Sequence, residues 1–325
     1  MSSAPTPADV ARRHSPEIGK VTESHAARMF GFAYFAVRAP RTGDTSSEGE
    51  GTANGWEQAL KSLAELAEPE EWTGSNPRGR KLPILDSFLR YTYIRLIAED
   101  KIAVTTDGKY ATFNTGLLTP HAEEIFGFLR QNKRSEAQRW FFVNWVPESS
   151  RDIMVNFDSP PQMAEYVTST SDLVYDWRRE LKVAYEHILV DNVDRFPEEL
   201  ASQPLRAKQA LDAAINLTLR RVRRNHKLVI PQWYPKEGPQ FLMPLDLSGN
   251  GAADLALVVS PVGDHAYRAH TVLTLDMAYT NARLVARPDS DWLAPNAGAV
   301  ADLDSELESE VATDNHVEGR QAGQI

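Results

Sequence analysis

A stretch near the C-terminal end of the chain, LTLDMAYTNARLVARPDSDWL, brings polar side chains together at helical spacing. Tyr279, Arg283 and Arg287 follow one another at intervals of four residues, so a helix through this stretch would present them on one face. Arginine binds phosphate oxygens through paired N–H groups, and an aromatic ring stacks on a base. This face could therefore bind a phosphorylated ligand, with Arg283 on the phosphate.

Asp276 and Asn281 lie in the same stretch and have two interpretations each. Asp276 comes where a strand ends, so its carboxylate could cap the helix predicted over 277–286. In a working site it would instead be a general base or a metal ligand. Asn281 falls on the apolar side of the helix, where a buried amide needs a partner from a neighbouring strand or from a ligand.

A second candidate segment is FNTGL, which directly follows a predicted strand. Asn114, Thr115 and Gly116 are small and polar, so backbone N–H groups here could turn toward an anion or a base edge. A tight turn has the same composition, and both interpretations stay open. His121 lies at a predicted helix start and is either a general base or an exposed surface histidine.

The segment PQWYPKEGPQFL collects aromatic rings, a lysine and two glutamines. Trp233 or Tyr234 could stack on a base, and Gln240 could bind a polar edge. A proline-rich connector with aromatic anchors has the same appearance, so this segment alone does not distinguish a binding platform from a connector.

Missing residue types and motifs restrict the chemistry. The chain has no cysteine, which excludes disulfides, thiolate zinc sites, iron–sulfur clusters and cysteine nucleophiles. It contains no GxxxxGK[ST], GxGxxG, HExxH or GxSxG motif. Membership of the familiar classes of nucleotide hydrolase and dehydrogenase is therefore disfavoured. The eight histidines are scattered and form no ligand pair at helical spacing. We therefore predict no metal site, and the cofactor stays unknown.

The first half of the chain has mainly helical periodicity. WEQALKSLAELAEPEEW and ILDSFLRYTYIRLIAEDK predict amphipathic helices, whereas RMFGFAYFAVRAP and RWFFVNWV predict strands. Asp107 and Gly108 predict a hairpin turn, and two helices followed by a hairpin resemble a winged helix over 56–118. Thr119 as N-cap and Pro120 as the first helical residue then predict a further helix.

The second half predicts two long helices, over 163–189 and 205–224, and then strands. QFLMPLDL, DLALVV and YRAHTVLTL are separated by breaks rich in glycine and proline, which predicts an antiparallel meander. The fold class is therefore α+β, with a helical front half that includes the winged-helix-like unit. The back half is the meander closed by the capped helix after Asp276.

Length and composition predict the domain organisation. A chain of 325 residues, 42% hydrophobic and 25% charged, suits a globular protein. We predict one α+β domain over 21–295, a disordered N-terminus over 1–20 and a disordered acidic tail over 296–325. The start lacks the apolar core of a signal peptide, and no apolar run reaches the roughly 20 residues of a membrane span. We expect a cytoplasmic protein that does not act at a membrane.

Charge is unevenly distributed. The formal net charge of -10 disfavours nucleic acid, but seven acids against one arginine in the last 25 residues account for -6 of it. The remainder, at -4, includes the cationic runs WRREL and LRRVRRNHK. A solvated helix face is the simpler interpretation of both runs. The acidic tail could recruit a protein partner.

Four strings, FNTGLLT, QFLMPLDL, ADLALVV and LTLDMAYTNARLVARPDSDWL, occur in an order that resembles the uncharacterised domain-of-unknown-function family 3825. The resemblance runs over 56–293. It implies an RNA-linked setting, because relatives resemble partners of cold-shock-type and small winged-helix RNA-binding modules. The site positions that it implies, without roles, are Asn114, Thr115, Gly116, Gln240, Asp276, Asn281 and Arg283.

These observations lead to one principal hypothesis and two alternatives. The principal one is a pocket for a nucleotide or an RNA end, formed where the FNTG loop meets the helix after Asp276. If the pocket is catalytic, phosphodiester or nucleotide hydrolysis is the natural class, with Asp276 or His121 as base. The alternatives are a non-enzymatic interaction or scaffold protein and a small-molecule biosynthetic enzyme.

Overall fold

The computed structural model describes residues 29–36, 55–74, 81–133, 138–235, 237–288 and 292–293. The segments predicted to be disordered, 1–20 and 296–325, lie outside the described residues. The described part is a mixed α+β fold, as predicted, with two five-stranded sheets. None of its helices is long and apolar enough to cross a membrane.

The first sheet has the strand order β1-β5-β4-β3-β2. Its strands are β1 (Ala33–Tyr34), β2 (Ala103–Val104), β3 (Tyr110–Leu118), β4 (Glu124–Gln131) and β5 (Trp140–Pro147). Neighbours are antiparallel except for β1 and β5. The helices in this half are α1 (Met29–Phe32), α2 (Gly55–Leu66), α3 (Pro83–Ala98) and α4 (Arg151–Asn156).

The second sheet has the order β6-β10-β9-β8-β7. Its strands are β6 (Glu180–Val183), β7 (Ile230–Tyr234), β8 (Gly238–Leu245), β9 (Leu255–Val262) and β10 (Ala266–Leu273). Strands β8 to β10 form the predicted antiparallel meander, β7 extends it on the β8 side from a segment not predicted to be a strand, and β6 joins β10 in parallel. The helices are α5 (Glu198–Ala201), α6 (Pro204–Val222) and α7 (Leu275–Val285).

The helices form layers between and outside the sheets. Helices α2 and α3 pack on the first sheet, α3 contacts α7, α7 covers β7, and α6 covers the outer face of the second sheet. One hydrophobic core includes Leu63 of α2, Leu89 of α3, Phe113 of β3, Leu242 of β8 and Met277 of α7. Because this core reaches both sheets, buried apolar contacts join the two sheets through the helices between them.

Two predicted helices, α2 and α3, are confirmed, and the helix predicted over 205–224 is α6. The predicted turn at Asp107 and Gly108 is confirmed, with Gly108 at φ +68°, a value that glycine adopts without strain. The RMFGFAYFAVRAP run begins as the short helix α1 and contributes only a two-residue strand.

The helix predicted to begin at Thr119 is wrong, because this segment is the β3–β4 hairpin. The Thr119 hydroxyl accepts the backbone N–H groups of His121 and Glu123, so it caps a turn instead of a helix. Strand β4 is buried on both faces over five consecutive residues, from Ile125 to Leu129. A strand covered on both faces lacks polar alternation, and periodicity then does not distinguish it from a buried helix.

The helix predicted over 163–189 is also wrong. The segment is extended, with one 3-10 turn at Thr170–Asp172, strand β6 and a π-helical turn at His187–Asp191. A capping box between Ser169 and Asp172 satisfies the backbone of that single turn. Strand β6 obtains its hydrogen bonds from β10, which is distant in sequence.

Two further details differ from the predictions. Helix α7 begins at Leu275 with Thr274 as its N-cap, so Asp276 is inside the first turn and is not the cap. The β2–β3 hairpin continues into β4 and β5 as one sheet, and a separate winged-helix unit over 56–118 is not confirmed.

Candidate functional site

A cavity of about 300 Å³ lies where β3, α3, α7 and the segment 163–167 meet. Its lining includes Phe88, Thr92, Gly116, Tyr166, Arg283 and Ala286. Two candidate segments that are far apart in sequence, the FNTG loop and the helix after Asp276, therefore border one space. Gly116 and Arg283 are the sequence-predicted site residues that line it.

The FNTG segment, predicted to follow a strand, lies inside β3, where its own polar side chains shape a bulge. Asn114 accepts the backbone N–H of Gly116 at 2.9 Å, and the Thr115 hydroxyl donates to the carbonyl of Ile125 at 2.8 Å. The Asn114 amide also donates to Glu124 at 3.0 Å. Strand β3 bulges here, and Gly116 has φ +74°. Asn114 and Thr115 are buried and hold the bulge in place, whereas the exposed Gly116 borders the cavity.

Arg283 is held by a buried ion pair. Its Nε and Nη2 donate to the two carboxylate oxygens of Glu70 at 2.6 and 2.9 Å. The guanidinium also lies over the rings of Trp72 and Phe88, at 5.3 and 4.8 Å from their centroids. Within the described residues, Nη1 has no hydrogen-bond partner, which leaves one edge of the guanidinium available to a ligand.

Tyr279, one turn before Arg283 on α7, also binds Glu70. Its hydroxyl donates to Glu70 at 3.3 Å. Burial raises the pKa of Tyr279 to about 12, and the negative charge of Glu70 acts in the same direction. The phenol therefore stays protonated at neutral pH and acts as a donor.

The segment 163–167 forms a wall of the cavity and is fixed to the end of α3. Arg95 donates to the carbonyl of Glu165 at 2.9 Å, and Lys101 donates to that of Met163 at 3.1 Å. The backbone N–H of Glu165 donates to Glu99 at 3.1 Å.

Tyr166 fixes this wall to the core. Its hydroxyl donates to Thr92 at 3.0 Å, and its ring meets Trp233 edge-on at 5.2 Å. Burial raises the pKa of the Tyr166 phenol well above its usual value. Trp233 is therefore a buried support behind the wall and not an open stacking platform.

Gln240 lies in a separate polar cluster on the second sheet. Its amide accepts from Gln232 and donates to Ser260, both at 2.8 Å, and it also donates to Glu237. His270 lies 3.5 Å from the Glu237 carboxylate. The half-buried Tyr234 ends the neighbouring strand, and neither Tyr234 nor Gln240 lines the cavity.

The other predicted site residues also lie outside the cavity lining. Asp276 is buried in the first turn of α7. Asn281 is buried as well, and its Oδ1 has no hydrogen-bond partner among the described residues. His121 is exposed in the β3–β4 turn. Within the described residues, no group of three or more His, Asp or Glu could hold a metal ion.

Two residues that line the cavity, Phe88 and Tyr166, and the ion-pair partner of Arg283, Glu70, were not identified as site residues from the sequence. Glu70 stands in a run of acids that reads as a polar helix end, and its partner Arg283 follows more than two hundred residues later. Tyr166 falls in the segment wrongly predicted as a helix, and Phe88 fits the apolar stripe of α3. Only long-range contacts distinguish these residues from ordinary surface or core positions.

Comparison with known proteins assigns the chain to a family, but no activity is known for that family. A family model described as Domain of unknown function (DUF3825) matches residues 63–292, which agrees with the resemblance over 56–293. No curated protein and no solved structure matches the chain at a significant level. Because the family model covers well over half of the chain and includes both segments that border the cavity, the protein belongs to this domain family of unknown function.

Proposed function

We propose that the cavity binds a nucleotide or the end of an RNA strand. The observation that carries this proposal is the convergence of Gly116 and Arg283 on one space bordered by the rings of Phe88 and Tyr166. A volume of about 300 Å³ is at the lower end of the range for small-molecule sites. The aromatic rings would contact the base, and Arg283 would bind the phosphate through Nη1.

The ion pair with Glu70 supports this use of Arg283. A guanidinium fixed on two of its nitrogens loses little conformational entropy when a ligand binds the third. The two stacked rings also limit its movement. Glu70 lowers the net charge at the site, which favours a ligand with one phosphate over a highly charged one.

We propose binding and not hydrolysis. A general base must come within hydrogen-bond reach of the reacting group. Neither Asp276 nor His121 lines the cavity, so no base with the predicted role faces the proposed ligand. Of the other polar side chains in the lining, Thr92 accepts from Tyr166, and the largely exposed Glu165 carboxylate lies 3.9 Å from Lys101, whose charge disfavours its use as a base.

The proposal is tested by calorimetric titration of the protein with AMP, GMP, CMP and UMP. Arg283→Lys keeps the charge beside Glu70 but removes the planar group with its Nη1 edge. Loss of one charge-assisted hydrogen bond should weaken binding about tenfold or more. Arg287→Lys is the matched control: Arg287, predicted to share the helix face of Arg283, lies beyond the end of α7 at Val285 and does not line this cavity.

Two results would overturn the proposal. One is the absence of binding of any of the four nucleotides to the wild-type protein. The other is equal binding by Arg283→Lys and Arg287→Lys. An interaction protein and a small-molecule biosynthetic enzyme, the two alternatives, both predict no selective nucleotide binding. A thermal melt of each variant shows whether the fold is retained.

A further inference from the structure

Two cationic runs that are separate in sequence form one surface in the fold. Trp177, from WRREL, is partly exposed, and Arg178 lies 4.8 Å from its ring centroid. Arg223, from LRRVRRNHK at the end of α6, lies 4.9 Å from the same centroid. One aromatic ring thus joins the two runs, and we call the surface formed by residues 177–179 and 220–227 the basic surface.

The cations of the basic surface are largely unneutralised. Arg220, Arg221, Arg223, Arg224 and Lys227 are exposed, and none forms an ion pair with an acid among the described residues. Like charges at i and i+4, as at Arg220 and Arg224, repel each other. In a chain with a net charge of -10, five such cations within eight residues create a local positive potential that favours a polyanion.

The basic surface continues toward the proposed nucleotide cavity. A second cavity, of about 270 Å³, is lined by His226 and Lys227 of the basic surface and by Arg287. Ala286 lines this cavity as well as the proposed nucleotide cavity. On the surface of the protein, the basic surface is therefore followed by the second cavity, then by Ala286, and then by the nucleotide cavity.

We propose that this path binds a single-stranded nucleic acid of several nucleotides. Its terminal nucleotide occupies the nucleotide cavity, its next phosphates lie near Arg287 and Lys227, and its following residues contact the basic surface. This inference rests on the proposed function, and it names the ligand as a strand instead of a free mononucleotide.

The side chains on the path match the chemistry of a single strand. Such a strand is bound by cations that follow its phosphates and by aromatic rings on which bases stack. Trp177 supplies an exposed ring beside two guanidinium groups. An anionic lipid surface would use the same cations but has no terminal nucleotide to place in a cavity.

The test measures binding of a uridine octanucleotide by fluorescence anisotropy as a function of salt. The variant carries Arg220→Gln, Arg221→Gln and Arg224→Gln. Its matched control carries Lys61→Gln, Arg151→Gln and Arg206→Gln, which removes the same charge from exposed helical positions elsewhere. Since each phosphate contact contributes about 0.7 to the slope of log K against log salt, the variant should lower the slope by about 2.

The same contacts predict the loss of affinity. Three lost contacts should weaken octanucleotide binding about 50-fold at 0.15 M salt, whereas the control triple variant should bind like wild type. Trp177→Ala should weaken it about fivefold or more through the lost stacking. UMP binding should be the same in all of these proteins, because UMP does not reach the basic surface.

The outcomes separate this inference from the proposed function. The inference is overturned if the octanucleotide binds no more tightly than UMP, or if the two triple variants bind it equally. It is also overturned if phosphatidylserine vesicles show the same binding and variant dependence while the octanucleotide does not bind. If UMP fails to bind but the octanucleotide binds and responds to the first triple variant, the proposed function fails while the basic surface is supported.

Discussion

At the scale of residues, one side chain can have both a structural role and a functional role. Arg283 was selected from the sequence for its chemistry, and in the fold two of its nitrogens are bound to Glu70. Both side chains are largely buried, 13% and 6% exposed. Removing one member of such a pair leaves the other buried without its counter-charge, which costs more than the pair contributes as a whole.

This predicts a strong coupling between the two residues. Arg283→Ala or Glu70→Ala should each lower the free energy of unfolding by about 3 kcal/mol or more. The double variant should lose clearly less than the sum of the two, because neither charge is then left alone. Urea unfolding at pH 7 of the wild type and the three variants measures this coupling.

An exposed ion pair supplies the comparison. Lys109 and Asp107 lie 2.8 Å apart at the β2–β3 turn, and both are largely exposed. Solvent screens such a pair, so Lys109→Ala should leave the unfolding midpoint unchanged. Additive effects of Glu70→Ala and Arg283→Ala would show that the buried pair does not act as a unit.

At the scale of elements, the cavity depends on an irregular segment fixed to a regular one. The segment 163–167 has no secondary structure and is held by Arg95 in the last turn of α3 and by Glu99 and Lys101 just after the helix. Burial raises the pKa of Glu99, but hydrogen bonds from Lys101 and from the Glu165 backbone, with the charge of Arg95, lower it below 4.5 overall. Carboxylate charge thus stabilises this wall of the cavity.

The lowered pKa predicts a pH dependence of stability. A carboxyl whose pKa is lower in the folded than in the unfolded state stabilises the fold above the unfolded pKa. This stabilisation is lost as the pH falls below about 4.5 and through the folded pKa. Glu99→Gln should therefore be less stable than wild type at pH 7 and should lose less stability between pH 5 and pH 3.

The measurement is the free energy of unfolding in urea at half-unit pH steps. Glu65→Gln is the matched control, because Glu65 is an exposed glutamate on α2. The control should follow the wild-type curve. Parallel curves for Glu99→Gln and wild type would show that Glu99 does not supply the stabilisation.

At the scale of the whole molecule, the two sheets share one apolar core. Helices α2, α3 and α7 lie between them, and their buried residues belong to one cluster with residues of both sheets. A second cluster joins the outer face of the second sheet to α6. Because unfolding either sheet would expose the core that both sheets share, we expect one cooperative unit, as the single-domain prediction over 21–295 requires.

This predicts coincident unfolding curves. Tryptophan fluorescence and far-UV circular dichroism should give the same urea midpoint. Leu89→Ala in α3, a fully buried position, should lower both midpoints together, with a loss of about 2 to 5 kcal/mol. Two separated transitions, or a midpoint shift in one signal alone, would show that the sheets unfold independently.

The sequence by itself determined the elements whose signals are local. Helices α2 and α6 are amphipathic, α3 has an apolar stripe at helical spacing, and the Asp107-Gly108 turn and the meander breaks have their own turn chemistry. Residue types also pointed to Gly116 and Arg283. These predictions needed no knowledge of distant contacts, because each depends on spacing within one element.

Only the tertiary structure decided the rest. Strand β4 looks like a helix in sequence because both of its faces are covered, and the segment 163–189 is extended because β10 and the end of α3 supply its hydrogen bonds. Gln240 and Arg283 are equally polar in sequence, yet one belongs to a network on the second sheet and the other borders the cavity. Long-range pairing determines these outcomes, because desolvated polar groups are stabilised by whichever partners the fold brings within reach.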